Sequence, residues 1–200
     1  MPEATEINKV HFDLTNVYIA KMLTDGDEPT WETPKRMYGA ISMDLSAQGD
    51  TYKLRADGID YYVSVSNNGY EGDINFAMIP DWYRQDILGE TMSEKDKVLV
   101  ENAQAEPAHY ALIYEFLYDK KHRRHVLYNC VSTRPSIAGE NKDNQKEPDT
   151  ESLTVTASPL PSGNVKASTT EGTPDSVYQN WTTAVWTKDT TEMAKSAQEV

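Results

Sequence analysis

The residues equipped for chemistry are few and scattered along the chain. Lys120, Lys121, His122, Arg123 and Arg124 form a basic run of the kind that binds phosphate or directs nuclear import. In an acidic chain the plainer reading is a solvated tip or a salt-bridge partner, because charge runs usually face water. His122 and His125 lie three apart, but zinc takes four ligands and Cys130, the only cysteine, falls on a strand beyond the run. Asp25, Asp27 and Glu28 superficially resemble a calcium loop without its spacing or its terminal bidentate glutamate. Glu101 and Glu115 can be written as a glycosidase pair, yet among 32 acidic residues such a pair arises by abundance. No Gly-rich phosphate loop, nucleophile elbow or HExxH motif is present. The expectation is a protein that is not an enzyme and has no catalytic, metal or cofactor site.

The elements that position these residues read mainly as strands. Residues 7–13, 16–23 and 35–45 each suit a strand, and residues 24–34, with a Gly and two Pro, suit a projecting loop. Tyr52, Leu54 and Ala56 alternate, Asp57-Gly58 suits a type I′ turn, and Tyr61, Val63 and Val65 continue the alternation. With Asn67-Asn68-Gly69 and then Ile74, Phe76 and Met78, this predicts a three-stranded meander with one inward face. Residues 80–88 predict the one short helix: Pro80 and Asp81 at its start, Gly89 as its stop, and Ile79, Tyr83 and Ile87 on one face.

Residues 97–102 suit either a strand or a helix. Tyr110, Leu112, Tyr114, Phe116 and Tyr118 line one face of a strand, and Val126, Tyr128 and Cys130 one face of the next. The basic run then forms the tip of a long hairpin. Leu153, Val155 and Ala157 alternate with Ser152, Thr154 and Thr156, again a half-buried strand. Residues 139–151 and 159–176 read as long loops, 177–187 as a last strand, and 188–200 as a flexible tail. Trp31 on its loop suits either an interface or local packing, whereas Trp186 with Ala184 and Val185 suits the core.

Composition sets independent bounds. The chain has 200 residues, 19 basic against 32 acidic, and a net charge of −13. That surface repels nucleic acid. A single cysteine excludes an intramolecular disulfide. No run of eighteen apolar residues and no basic, apolar leader is present, which predicts a soluble protein with no membrane partner. Twelve Tyr and four Trp supply bulky, half-polar side chains suited to sheets and interfaces.

The order NCVSTRPSIAG (129–139), a polar loop, PDTESLTVTASPLPSGNVKA (148–167) and YQNWTTAVW (178–186) resembles the major tail protein, or tail tube protein, of long non-contractile-tailed phages and related prophages. PDWYRQDILGE (80–90), VLVENAQAEP (98–107) and ALIYEFLYD (111–119) fall where that family has a short helix and two strands. The likeness covers roughly residues 7–187, and residues 1–187 read as a single domain.

The resemblance implies an antiparallel β-sandwich or barrel-like tail tube fold with one flanking helix and long loops. It implies subunits closing into hexameric rings stacked around a tape-measure protein, with terminator and baseplate or tip proteins at the ends. Double-stranded DNA would pass without specific binding, in a virion tail built in the bacterial cytoplasm. A ring needs complementary surfaces, and the loops with the basic tip are the candidates. These are Asp25, Asp27, Glu28 and Trp31; Lys120, Lys121, Arg123 and Arg124; and Glu140, Lys142, Asp143, Lys146 and Glu147. The alternatives are a tube subunit of a contractile or injection-type machine, an aromatic-rich carbohydrate-binding module, and an acidic mimic of DNA.

Overall fold

Leu153, Val155 and Ala157 are buried and Ser152, Thr154 and Thr156 half-buried, so the period-two pattern does place one face of its strand inward. The computed structural model describes residues 8–26, 28–137, 139 and 148–188. Its strands in chain order are β1 (His11–Thr24), β2 (Thr30–Trp31), β3 (Lys35–Arg36), β4 (Ala40–Gln48), β5 (Thr51–Ala56), β6 (Ile59–Val65) and β7 (Gly69–Phe76). After helix α1 (Asp81–Asp86) come β8 (Thr91–Met92), β9 (Leu99–Val100), β10 (Tyr110–Tyr118), β11 (Arg123–Ser132), β12 (Glu151–Ser158), β13 (Lys166–Ser168) and helix α2 (Asp175–Asn180). The fold is mainly β, with antiparallel pairing between strands.

The main sheet runs β2-β1-β10-β11-β12-β7-β4, with β3 also on β1 and β13 also on β11. It curls until β4 touches β1, which makes it barrel-like. Inside lie Val17, Ile19, Met37, Phe76, Leu112, Leu127 and Leu153, closed by Ile79, Tyr83 and Ile87 from the helical segment. Fully burying such a side chain contributes about 1.5–3 kcal/mol. Gly89 stops the helix at φ +74°, and Tyr83 sends its hydroxyl to Ser132 at 2.7 Å. A second cluster of Ala20, Ala111, Ile113, Val126, Tyr128 and Leu160 is sealed by Trp181, which is 3% exposed.

Several expectations need correction. Residues 7–13 and 16–23 are not two strands: from His11 they form the single β1, with irregular pairing at two places and Asn16 at φ +52°. Residues 35–45 split into β3 and β4, with Gly39 at φ +82° between them. Residues 177–187 are not a strand. Pro174 and Asp175 start a second helix, and turns follow it, so the apolar residues dock on the sheet without pairing with it. Val126 and Tyr128 do share a face, but Cys130 joins Leu127 in the other cluster because the β10–β11 register shifts between Tyr110 and Leu112.

The predicted meander is also different. β7 pairs with β4 and β12, not with β6, and β5–β6 forms its own ribbon. Asn68 N–H to the Gln48 carbonyl and Ser66 N–H to the Asp50 carbonyl, both 2.9 Å, join the two pairings end to end. The β4–β7 strands therefore continue into a hairpin arm that turns at Asp57 (φ +51°) and Gly58 (φ +79°). Gly72 is obligatory along the way, since a Cβ there would stand 1.9 Å from the Asp44 carbonyl oxygen.

Candidate functional site

The arm carries the largest group of unprotected apolar side chains. Tyr52 pairs with Ser64 and Leu54 with Tyr62, which puts Tyr52, Leu54 and Tyr62 on one face. Lys53 pairs with Val63 and Thr51 with Val65, which puts Val63 and Val65 on the other. All five are 45–73% exposed, as are Ile59 and Tyr61 nearer the turn. A regular two-residue turn would have aligned Tyr52 with Val63, but a register shift between Leu54 and Arg55 moves the β6 side chains by one place. Both faces thus become apolar. The run Tyr61-Tyr62-Val63 was the available signal, because three consecutive apolar residues in a strand must occupy both faces. Lys53 and Arg55 meet Asp60 at 3.2 Å and 3.4 Å, so the arm's cations are engaged locally.

The basic tip between β10 and β11 is bound to its own chain. Arg123 binds both carboxylate oxygens of Glu171, at 2.9 Å and 3.0 Å, and this hydrogen bonding holds the Glu171 carboxyl below its ordinary range. Lys121 reaches the carbonyls of Glu171 and Thr173 and lies 5.0 Å from the Tyr178 ring centre. Arg124 pairs with the buried Glu115 at 2.7 Å, donates to the Tyr178 carbonyl and lies 4.0 Å from that ring. Asn8 accepts from the backbone N–H groups of Lys120 and Lys121. Residues 169–181 are thereby strapped across the sheet. The sequence expectation of a salt-bridge partner fits these cations, and the partner is Glu171 or Glu115.

The other predicted residues are dispersed. Asp25 and Glu28 are exposed on a loop that β2 shortens, at the opposite end of the β1–β10 pair from the basic tip. Trp31 is half-buried, donates to the Tyr128 carbonyl at 3.2 Å and lies 6.1 Å from the Tyr128 ring, which is local packing. Beside it a shallow groove of about 220 Å³ runs between residues 29–33 and 183–187. Asp27, Glu140, Lys142, Asp143, Lys146 and Glu147 lie outside the described residues.

The groups considered for chemistry are apart from one another. Glu101 pairs with Arg134 at 2.8 Å, whereas Glu115 pairs with Arg124. Among the described residues no group of three or more His, Cys, Asp or Glu is arranged to hold a metal. Burial pushes the Cys130 thiol up to about 12, which leaves it protonated and inert. Burial, aided by Lys166 and Arg123, pushes His125 down to about 4. Its ring stacks on Tyr114 at 5.0 Å and both ring nitrogens lack hydrogen-bond partners.

Strands β4 and β7 contain Asp44, Glu71 and Asp73 and no Lys or Arg, whereas Glu151 of β12 is paired with Arg84 at 2.7 Å. Asp44 stands directly across from Asp73, which also accepts from Thr154 at 2.7 Å.

No protein-family model matches the chain, and no curated protein matches it. Among solved structures, the tube-terminating cap of the anti-feeding prophage, seen by cryo-EM, is similar over 85% of this chain and 99% of that chain. The TM-score is 0.43 and the sequence identity 10%.

Proposed function

We propose that the protein is a self-assembling structural subunit of a phage-type tail, and in particular the subunit of a non-contractile tail tube. In this reading hexameric rings stack around a tape-measure protein, with terminator and baseplate or tip proteins at the ends. Double-stranded DNA crosses the lumen without being held. Assembly takes place in the bacterial cytoplasm and the product is part of the virion.

The observation that carries the reading is the arm. Each face of the arm is comparable to the ~300–600 Å² largest patch of a typical monomer, which is often functional, and its seven exposed large side chains together offer roughly 800 Å² over the two faces. That is about what one partner contributes to a standard protein–protein interface. Net charge supports the conduit part of the reading. Adjacent strands β4 and β7 bear Asp44, Glu71 and Asp73 and no cation, and such a surface repels phosphate. The ring and its partners come from the resemblance in segment order.

Negative-stain micrographs and light scattering across a concentration series test this. Rings or tubes with a central hole are expected. A protein that stays monomeric at every concentration, even when seeded with preformed tail-tip complexes, overturns the reading; a glycan-binding monomer overturns it in favour of a carbohydrate module.

A further inference from the structure

We propose that the arm of one copy docks on an apolar knuckle at the far end of the same ribbon in the next copy, an inference that rests on the self-assembly reading. The ribbon runs from residue 38 to residue 78. Beyond the Ala40–Phe76 pair, Ala77 N–H donates to the Gly39 carbonyl at 2.8 Å, which continues the pairing and sets Tyr38 across from Met78. Ile41 is the extra residue between the Ala40–Phe76 and Ser42–Asn75 pairs, the bulged position that re-aims a side chain. Tyr38 and Met78 are each 70% exposed and Ile41 53%. Methionine and aromatic side chains are enriched where proteins meet.

The geometry selects a second copy as occupant. Knuckle and arm tip are separated by about twenty residues of strand, roughly 60 Å of ribbon, and lie at opposite ends of it. A chain cannot cover its own knuckle with its own arm, whereas a copy displaced along the ribbon can. Such a head-to-tail contact leaves one free arm and one free knuckle, so it propagates. The areas agree. The knuckle offers roughly 400 Å², half of the arm, which suits covering one of the arm's two faces and leaves the second for a further copy. Charge also agrees, because Arg36 lies over the Tyr38 ring at 4.7 Å and Asp57 stands at the arm's turn.

Two double variants test the contact. Tyr62→Lys with Val63→Lys disables the arm, and Ile41→Glu with Met78→Glu disables the knuckle; all four positions are exposed, so wild-type circular dichroism is expected. Each variant alone should raise the critical concentration for assembly more than about tenfold. An equimolar mixture should form a mixed complex in sedimentation velocity, since each partner keeps the surface the other lacks. A knuckle variant that builds wild-type tubes, or two deficient variants that ignore each other, overturns this contact and leaves the assembly reading standing. A wild-type protein that never assembles overturns both. Should a variant misfold, a photo-crosslinker at position 62 of the otherwise wild-type chain decides: adducts on residues 38–41 or 78 support the contact, and adducts only elsewhere overturn it.

Discussion

One guanidinium nitrogen of Arg123 grips both carboxylate oxygens of Glu171, which lies 48 residues further along the chain. This ion pair fastens the strap of residues 169–181 across the β10–β11 hairpin. Glu171→Gln is expected to speed amide exchange at Thr169 and Thr173 and leave β12 protected, as read by hydrogen–deuterium exchange. The Glu171 carboxyl is held below its ordinary 4.5. The stability it contributes is therefore fully present above pH 4.5 and lost as the pH falls through the lowered value. Pairing Arg123→Glu with Glu171→Arg should restore much of the protection.

His125 predicts a second acid response. It is neutral in the fold, wedged against Tyr114 and Phe116 with Lys166 and Arg123 as charged neighbours. Its value falls from the usual 6.5 to about 4, so stability is lost as the pH drops from 6.5 towards 4 and does not fall further on its account below that. At ~1.4 kcal/mol per pH unit, and after discounting for partial solvent screening, the loss is about 2 kcal/mol. Urea unfolding of wild type and His125→Phe at pH 7 and pH 4.5 checks it; the variant should lose less.

Tyr83 predicts a pure packing and hydrogen-bond effect. Its ring meets Tyr110 edge-on at 6.1 Å and its hydroxyl meets Ser132 at 2.7 Å in the interior. Tyr83→Phe keeps the ring and removes one hydroxyl from the buried hydrogen-bonded group of Tyr83, Ser132 and Tyr110, at a cost of about 1–2 kcal/mol in denaturant unfolding. Tyr83→Ala adds a cavity and should cost about 3–5 kcal/mol.

Where one residue pattern implied one local structure, the fold was legible in the sequence. Ile79, Tyr83 and Ile87 recur on a helical face and Leu153, Val155 and Ala157 on a strand face, and all six are buried as that spacing requires. What escaped depends on register. A shift beside Leu54 turned an expected one-faced meander into a two-faced arm, and a shift between Tyr110 and Leu112 sent Cys130 to the other cluster. A slip of a single residue leaves no trace in composition, and only the partner strand reveals it. Residues 177–187 misled because their apolar side chains serve burial equally well from a helix and turns. The basic tip was read correctly as a charged hairpin end, but its partner Glu171 lay in a stretch with no periodic pattern.

The pairing of β1 with β10 also fixes an order of events during synthesis. Lys21 must wait for Tyr110 and His11 for Tyr118, whereas Thr51 needs only Val65. Chains emerge at about 5–20 residues per second, so β1 stands without that partner for roughly 5–20 s. The arm closes locally long before then. The strands that expose the most apolar side chains among the described residues are thus paired on the ribosome while β10, β11 and β12, three strands of the barrel behind them, have yet to be made.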